Sequence, residues 1–426
     1  MRSLTLRVAI FMLAAIAPVR SLLLAIFMLM AGSGFMATLL GLRLDQAGQS
    51  TIVIGMVATA YFAGLVIGAL RAGRIVRRVG HIRAFAAFVA LLSASTLGYA
   101  EFTDPLLWSG LRLIDGFCVA GVFVCLESWL NERADAASRG SILAAYMVAL
   151  YCGQAVGQSL LMADGDLAAV PFQRASMLIS LAIIPLCLTR TSAPPPAEAT
   201  SFGLGTLFAS SPLGTVGAAA TGLMLGAFYG LAAVQVRRLG LDLTQTASFM
   251  MTVIFGGVAL QWPLGQLSDR YDRRRVIVLC FAATLCVSLA ISLIASAGPW
   301  LLIFGAMFGG LSFALYPLCI AHCNDRLHAA QRIAASGRLV LLYSAGAALG
   351  PVGGALFMTD GNPGGLFLFI ALCAGGTTAF GLWRQKAAPP VPAPEQQDFQ
   401  VLPRTTPIAS LLDPNTPDAP TGGQQP

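Results

Sequence analysis

The sequence predicts an all-α membrane protein of twelve transmembrane helices, arranged as two pseudo-symmetric six-helix bundles. Three observations carry this prediction. Of the 426 residues, 57% are apolar and only 11% are charged, whereas a soluble domain carries about 25% charged residues. The mean hydropathy is +0.76, which suits a bilayer better than a soluble core. The apolar residues fall into long runs, and one short pattern occurs twice, so a duplicated membrane bundle is expected.

The apolar runs are roughly 17 to 24 residues long, which is enough to cross about 30 Å of hydrocarbon as a helix. A helix is also the form in which a single span satisfies its own backbone hydrogen bonds within lipid. The first six spans are predicted at residues 21–42, 51–70, 84–100, 106–128, 141–162 and 173–189. The second six are predicted at 213–234, 244–264, 276–296, 299–321, 338–358 and 365–383.

These spans divide the chain into an N-terminal bundle at residues 21–189 and a C-terminal bundle at 212–383. Residues 190–211 contain three consecutive prolines and are expected to form a cytoplasmic linker. Residues 1–20 imitate a secretory signal, but cleavage would start the chain on the wrong side for its arginines, so a cytoplasmic or interfacial segment is expected. Residues 384–426 are rich in Pro, Gln, Asp and Thr and are predicted to be a disordered cytoplasmic tail.

The arginines predict the orientation, because cytoplasmic loops carry an excess of Lys and Arg. With the N-terminus inside, the cytoplasmic side receives Arg2, Arg7, Arg20, the cluster at 71–83, Arg133, Arg139, Arg190, the cluster at 270–275, Arg326, Arg332, Arg338, Arg384 and Lys386. The other side keeps Arg43, Arg174, Arg237 and Arg238. We therefore expect both termini in the cytoplasm and a location in the inner membrane of a bacterium.

Several function classes are disfavoured. Lys386 is the only lysine, so the sequence has no phosphate-binding GxxxxGK[ST] loop. The three histidines form no HExxH motif and the nine cysteines no CxxC pair, so no catalytic residue, metal ligand or cofactor is assigned. The net charge of +7 lies in short tracts between apolar spans, which favours a lipid partner over nucleic acid. An enzyme is not expected.

The repeated pattern relates the two halves. GRIVRRVGHIR at 73–83 matches GQLSDRYDRRR at 265–275, an offset of 192 residues. The same offset relates Gly34 to Gly226, Gly64 to Gly256, Trp108 to Trp300 and Tyr151 to Tyr343. Two similar halves in one orientation are typical of the parallel repeats found in secondary transporters.

The repeated loops resemble the G-x-x-x-D-R-x-G-R-R-R motif of the major facilitator superfamily, which implies that superfamily's fold. The second copy fits the motif, with Asp272 where glycine is usual, and the first has an arginine at the acidic position. The motif residues are Gly73, Arg77, Arg78, Gly80 and Arg83, then Gly265, Asp269, Arg270 and Arg273. The phrases at 126–132, 261–270 and 316–325 resemble the YcaD-like branch.

The resemblance implies that these loops latch the two halves on the cytoplasmic side when the protein faces outward. Asp269 could pair with arginine across such a gate, whereas Arg77 could not. Arg77 or Arg78 could instead pair with an acidic side chain at 127, 132 or 135. The alternative is that the arginines only fix the topology of the chain.

Charged residues inside a predicted span are more informative about function than the loop motifs. Arg112 and Asp115 lie at i and i+3 on one face of the fourth span, where one charge costs roughly 2.5–3.5 kcal/mol. They could form a neutral structural pair, or Asp115 could exchange protons while Arg112 meets a substrate anion. Arg112 also begins a stretch that resembles the superfamily's R-x-x-q-G motif, which implies a role in proton transfer. Glu127 is a third candidate, either in the cavity or at the interface.

Superfamily geometry implies further cavity residues on the helices that line the path. Gln154 and Gln158 share one face at i and i+4. Tyr61, Tyr229 and Tyr343 are the aromatic candidates. Instead of lining the cavity, the two amides could form hydrogen bonds between helices. The tyrosines could instead belong to the aromatic belt at the membrane interface.

Together these observations predict a secondary active transporter, most simply a monomer, that moves a small solute by alternating access. Protons are a candidate coupling ion, and an uncoupled facilitator remains the alternative. A transporter-like membrane receptor or scaffold is a third hypothesis. The substrate itself is not predicted.

Overall fold

The computed structural model describes residues 16–162, 169–188, 203–294, 298–359, 362, 364–387, 391–392 and 395–415. In this part of the chain, twelve helices are long and apolar enough to cross a membrane. They are α1 (Ala17–Gln46), α2 (Thr51–Val79), α3 (His81–Glu101), α4 (Pro105–Glu132), α5 (Arg139–Met162), α6 (Ala169–Cys187), α7 (Pro212–Arg238), α8 (Leu243–Arg270), α9 (Arg273–Ser292), α10 (Pro299–Asn324), α11 (Ala329–Phe357) and α12 (Gly365–Ala387). The predicted fold class of twelve membrane helices is confirmed.

The helices differ from the predicted spans mainly at their ends. α2 continues to Val79 and α8 to Arg270, although their apolar runs stop earlier. The positive charges of the arginines in these last turns are stabilised by the negative C-terminal ends of the helix dipoles, so the helices extend beyond the apolar region. α1 is interrupted between Ser33 and Met36, where Gly34 and Phe35 join two helical pieces.

Each bundle is held together by close crossings at glycine. A Cβ atom on Gly64 would lie 2.1 Å from the carbonyl oxygen of Leu113, so α2 and α4 touch backbone to backbone. Its repeat partner Gly256 would place a Cβ atom 2.1 Å from the carbonyl oxygen of Ala306, which joins α8 to α10 in the same way. The 192-residue offset is thus visible as a duplicated helix contact, of the kind that small residues permit in lipid.

The two bundles meet along a seam. α11 packs on α2, and α7 packs on the second piece of α1. Near one end of the seam, the Thr59 hydroxyl donates to the carbonyl oxygen of Ala348 at 2.7 Å. At the same end, Arg238 pairs with Asp45 at 2.7 Å. We call the side with the α2–α3, α8–α9 and α10–α11 connections the tail face. The other side, with the α1–α2 and α7–α8 connections, is called the opposite face.

The prediction of disorder for residues 384–426 is wrong in two places. α12 continues to Ala387. Residues 395–415, which we call the C-terminal segment, pack between the two bundles at the tail face. The physical reason is local: Leu402, Ala409 and Leu412 form a short apolar pattern inside an otherwise polar tail, and all three side chains are buried.

The other predicted domain boundaries stay predictions. Most of the predicted interfacial segment (residues 1–15), much of the linker (189–202) and the chain end (416–426) lie outside the described residues. A short helix, Leu204–Ser210, leads into α7.

Two glycines of α4 provide a matched test of the packing. A Cβ atom on Gly116 would lie 1.9 Å from the carbonyl oxygen of Tyr61, whereas one on Gly110 would meet nothing within 4 Å. We expect Gly116→Ala to lower the free energy of unfolding by about 1–3 kcal/mol through overpacking. Gly110→Ala should be neutral or stabilise by roughly 0.5–1 kcal/mol because alanine favours the helix. Denaturant unfolding in detergent measures both, and equal effects would contradict the close α2–α4 crossing.

Candidate functional site

A cavity of about 190 Å³ lies on the seam between the two bundles. Side chains from both halves line it, including the three predicted tyrosines, Tyr61, Tyr229 and Tyr343, and the predicted Gln154. Arg112 and Asp115 lie on its wall, and the C-terminal segment contributes Pro403, Arg404 and Thr405. Several sequence-predicted residues of the two halves therefore border one shared space.

Arg112 and Asp115 form a buried pair within α4. Nη1 of Arg112 lies 3.7 Å from Oδ2 of Asp115, and the two residues are only 6% and 3% exposed. The hydroxyls of Ser95 and Tyr99 on α3 also donate to the Asp115 carboxylate. The Arg112 guanidinium lies 4.1 Å from the ring centre of Tyr61, within the range of a cation–π contact. Asp115 is thus fixed between two helices, and Arg112 is held at the cavity wall.

Glu127 lies nearer the C-terminal end of α4 and is fully buried. The Tyr146 hydroxyl on α5 donates to its carboxylate at 2.7 Å. The hydroxyls of Thr405 and Thr406 and the backbone N–H of Ala409, all in the C-terminal segment, also donate to it. Most of the polar environment of this carboxylate therefore comes from a segment outside the two bundles.

The two amides of α5 have different surroundings. Nε2 of Gln158 donates to the carbonyl oxygen of Gly34 and to the Thr38 hydroxyl, each at 3.2 Å, so Gln158 joins α5 to α1. Gln154 lines the cavity, and its buried Oε1 has no hydrogen-bond partner among the described residues. The spacing of i and i+4 predicted a shared face, but of the two amides only Gln154 borders the cavity.

The second loop motif forms an ion network within its own half. Arg273 on α9 is 1% exposed; it donates to Asp325 after α10 through two bonds of 2.7 Å and to Asp269 at 2.7 Å. Asp272 caps α9 by accepting from the backbone N–H of Arg274 at 3.1 Å. Partial burial would raise the pKa of Asp272, but hydrogen bonds from Arg274 outweigh it and lower that pKa. Among the described contacts, Asp269 reaches no residue of the N-terminal bundle.

The first loop motif is a tight and exposed turn. Gly80 alone separates α2 from α3, and its φ of +87° is a conformation that favours glycine. Arg77, Arg78 and Arg83 are exposed, as is Arg270 in the second copy. Glu127, one proposed partner of Arg77 or Arg78, is occupied by the C-terminal segment instead. Gly73 has open space around it, with the nearest neighbouring atom 3.8 Å from a Cβ built there.

Arg404 is the main site residue that sequence reasoning missed. Its guanidinium lies 4.8 Å from the ring centre of Phe313 and 5.7 Å from those of Tyr229 and Tyr343. It also donates to the Tyr229 hydroxyl at 3.1 Å. The sequence showed no embedded charge in the C-terminal half, and the C-terminal segment supplies one. The apolar residues around 399–412 were the available signal for a docked segment.

Among the described residues, no group of three or more His, Cys, Asp or Glu side chains could hold a metal ion. The polar groups that line the cavity instead include one carboxylate (Asp115), one amide, several phenols and two guanidiniums. These groups offer hydrogen-bond donors and acceptors that can bind a small solute and orient it.

The chain is similar to known membrane transporters in sequence and in fold. The profile of the Major Facilitator Superfamily matches residues 22–295 and 215–416. The MFS-type transporter YcaD of Salmonella dublin is 30% identical over 357 residues, which cover 83% of this chain and 92% of that protein. The crystal structure of the nucleoside transporter NupG has a TM-score of 0.71 at 13% identity and covers 86% of this chain and 98% of its own. A bacterial homologue of the human lysosomal transporter Spinster, inward-facing and occupied, has a TM-score of 0.70 at 14% identity, with coverages of 88% and 97%.

The buried pair on α4 generates a stability prediction. Asp115→Asn leaves Arg112 buried without its counter-charge, so we expect the free energy of unfolding to fall by about 3–5 kcal/mol. Asp45→Asn breaks a partly exposed pair, whose arginine side chain is 34% exposed, and should cost about 0.2–1 kcal/mol. Denaturant unfolding in detergent compares the two variants.

A double variant separates charge pairing from packing. Arg112→Met combined with Asp115→Leu removes both charges and should recover much of the stability lost in Asp115→Asn. If Asp115→Asn costs no more than Asp45→Asn, the α4 pair is not a buried ion pair of this kind.

Proposed function

The chain belongs to the Major Facilitator Superfamily, and from this membership we propose that it is a secondary active transporter that moves a small solute across the inner membrane of a bacterium by alternating access. Two six-helix bundles, at residues 21–189 and 212–383, rock about the central cavity. Both termini lie in the cytoplasm, so the tail face is the cytoplasmic face. The chain acts as a monomer in lipid, with no nucleic-acid partner and no catalytic site of its own.

One observation carries this proposal. The cavity lies between the bundles, and on the opposite face the seam above it is closed by α2 against α11 and by the Asp45–Arg238 pair. On the tail face the space between the bundles is filled by the C-terminal segment, which belongs to neither bundle. Contacts that cross the seam at one face are the ones that a rocking motion would exchange.

The candidate substrate contacts are Tyr61, Gln154, Tyr229 and Tyr343, which border the cavity. Gln158 bonds α1 to α5 and keeps a positioning role. The loop residues keep the gate role expected for an outward-facing state. Asp269 and Arg273 would then exchange bonds within their own half for bonds across the seam.

Proton coupling is part of the proposal, and Glu127 is the favoured carrier. Asp115 is held by Ser95, Tyr99 and Arg112, all within one bundle, so rocking leaves its partners in place. Glu127 loses its two threonine partners whenever the C-terminal segment withdraws. A carboxyl group whose partners change between states is the one whose proton affinity changes with them. An uncoupled facilitator is the alternative.

Alternating access predicts that weakening the opposite face exposes the cavity there. Arg238→Gln breaks the partly exposed pair with Asp45, which is worth about 0.2–1 kcal/mol, and should raise the outward-open population by up to about fivefold. Ser33→Cys lines the cavity, and its labelling rate with a membrane-impermeant maleimide from the opposite face reports that population. The protein without Ser33→Cys gives the background from the nine native cysteines.

Arg237→Gln is the matched control, because it removes a neighbouring charge whose bond stays within the loop, at the carbonyl oxygen of Leu241. It should leave the labelling rate unchanged. If the Ser33→Cys position cannot be labelled from the opposite face in any variant, alternating access is refuted and the receptor or scaffold hypothesis takes its place.

Coupling predicts that the conformational equilibrium depends on pH through Glu127. In native protein carrying Ser33→Cys, the labelling rate from the opposite face should vary across the neutral pH range after correction for the thiol's own reactivity. Glu127→Gln should abolish most of that variation, and Glu101→Gln at the exposed end of α3 should retain it. A rate in the native background that is the same at every pH would favour the uncoupled facilitator.

A further inference from the structure

The C-terminal segment follows a defined course from one bundle to the other. At its start, the backbone N–H groups of Gln397 and Phe399 donate to Asp325 at 2.9 Å and Asp269 at 3.0 Å, and Arg273 donates to the carbonyl oxygen of Gln397 at 2.7 Å. These anchors all belong to the C-terminal bundle. The loop motif therefore holds the segment as well as its own ion network.

Gly265 makes room for this anchor. A Cβ atom at Gly265 would lie 2.1 Å from Cδ1 of Phe399, so the aromatic ring rests directly on the helix backbone of α8. Gly73, its repeat partner in the other bundle, has no comparable neighbour. The two copies of the motif thus differ in whether they receive the segment.

Further along, the segment crosses to the N-terminal bundle. Thr405 and Thr406 donate to Glu127 on α4. The short 3₁₀ helix Pro407–Leu412 packs against both α4 and α11. Leu402 and Leu412 are 4% and 0% exposed, so they fill space between the bundles. While they remain there, the bundles cannot close the tail face.

Between these two anchors, Arg404 reaches the cavity. Three aromatic rings, from Phe313, Tyr229 and Tyr343, lie within 6 Å of its guanidinium. Aromatic rings that surround a cation in this way, with one hydrogen bond from it to a phenol, form a recognised type of cation site. The rings come from α7, α10 and α11, so the cation site is built by the C-terminal bundle.

The charges of the cavity favour a cation as its occupant. Arg112 is already paired with Asp115. Among the described residues, Arg404 is the other cation that lines the cavity, and it leaves with the segment. The aromatic rings remain, and so does the carboxylate of Glu127, which lies next to the cavity in contact with Thr405. A positively charged solute is the occupant that would restore both the charge and the aromatic contacts.

We propose that the aromatic site occupied by Arg404 is the substrate subsite, that it takes an organic cation of the guanidinium type, and that the C-terminal segment competes with this cation from within the chain. The proposal rests on the transport function proposed above and gives it a substrate class. The segment is tethered, so its effective concentration at the site is high, and a free cation binds weakly until the segment withdraws.

The experiment compares two probes of nearly the same shape. Phenylguanidinium carries the charge, and neutral phenylurea does not. In the native full-length protein, isothermal titration should give weak binding of phenylguanidinium. Arg404→Gln should tighten that binding at least tenfold, because the internal competitor has lost its charge, and phenylurea should bind neither form.

Gly265→Ala and Gly110→Ala form the matched pair. The first displaces Phe399 and should likewise tighten phenylguanidinium binding, whereas the second alters a glycine of the other bundle with open space around it and should match the native protein. If Gly265→Ala fails to fold, the Arg404→Gln measurement still decides. Equal binding of phenylguanidinium to native protein and Arg404→Gln, or equal binding of the two probes, overturns the proposal.

Withdrawal of the segment is measured directly with Ala409→Cys, since Ala409 is 1% exposed when docked. Phenylguanidinium should raise the rate at which maleimide labels this cysteine, and phenylurea should leave it unchanged. Binding of phenylguanidinium without faster labelling refutes competition.

The outcomes separate this proposal from the transport function. If phenylguanidinium fails to bind Arg404→Gln while Ser33→Cys is still labelled from the opposite face, the cation site is wrong and alternating access stands. If the cation binds and Ser33→Cys is never labelled there, the cation site stands and transport is wrong.

Discussion

The constraint on which this structure depends is that hydrocarbon offers no hydrogen-bond partners, so every polar group placed within the membrane must find one inside the protein. Backbone groups meet the constraint by forming helices, and glycines such as Gly64 and Gly256 let those helices touch closely. Charged side chains satisfy the constraint by pairing at the seam, where Arg112 forms an ion pair with Asp115. The seam is therefore both the polar interior of the molecule and the boundary between the two bundles.

The same constraint explains which parts of the molecule the sequence could predict. Span positions and the repeat follow from hydrophobicity and glycine placement, which are local properties, and the structure agrees with them closely. Tyr61, Gln154, Tyr229 and Tyr343, the residues proposed for a substrate cavity, border the cavity between the bundles, and their contact with a substrate stays a prediction. Gln158 shares a face with Gln154 in the sequence, but which neighbour that face meets depends on how α5 packs on α1. Spacing along one helix cannot provide that information.

The C-terminal segment was mispredicted for a different reason. Its composition is polar on average, and average composition indicates disorder. Docking depends on a few positions, such as Phe399 against Gly265 and Leu412 between the bundles. Their partners lie far away in the chain, Gly265 for Phe399 and α4 and α11 for the short helix that contains Leu412, so the local apolar pattern marks a segment that can dock but does not identify where it docks. The Asp269–Arg273 loop illustrates the same limit, since its motif predicts a latch between bundles and its carboxylate here holds the segment instead.

The duplicated bundles contribute different chemistry to the seam. The N-terminal bundle contributes the ionisable groups Arg112 and Asp115 on the cavity wall and Glu127 beside it, whereas the C-terminal bundle contributes the rings of Tyr229, Phe313 and Tyr343. A ligand that contacts only one wall gains nothing from movement of the other and cannot shift the equilibrium between states. A cation of the proposed kind would contact the aromatic wall directly, and it would favour one arrangement of the bundles only through contacts with N-terminal residues that border the cavity, such as Tyr61 and Gln154. The C-terminal segment already spans both walls through Arg404 and its two threonines, so it stabilises one arrangement of the bundles by the same physical means.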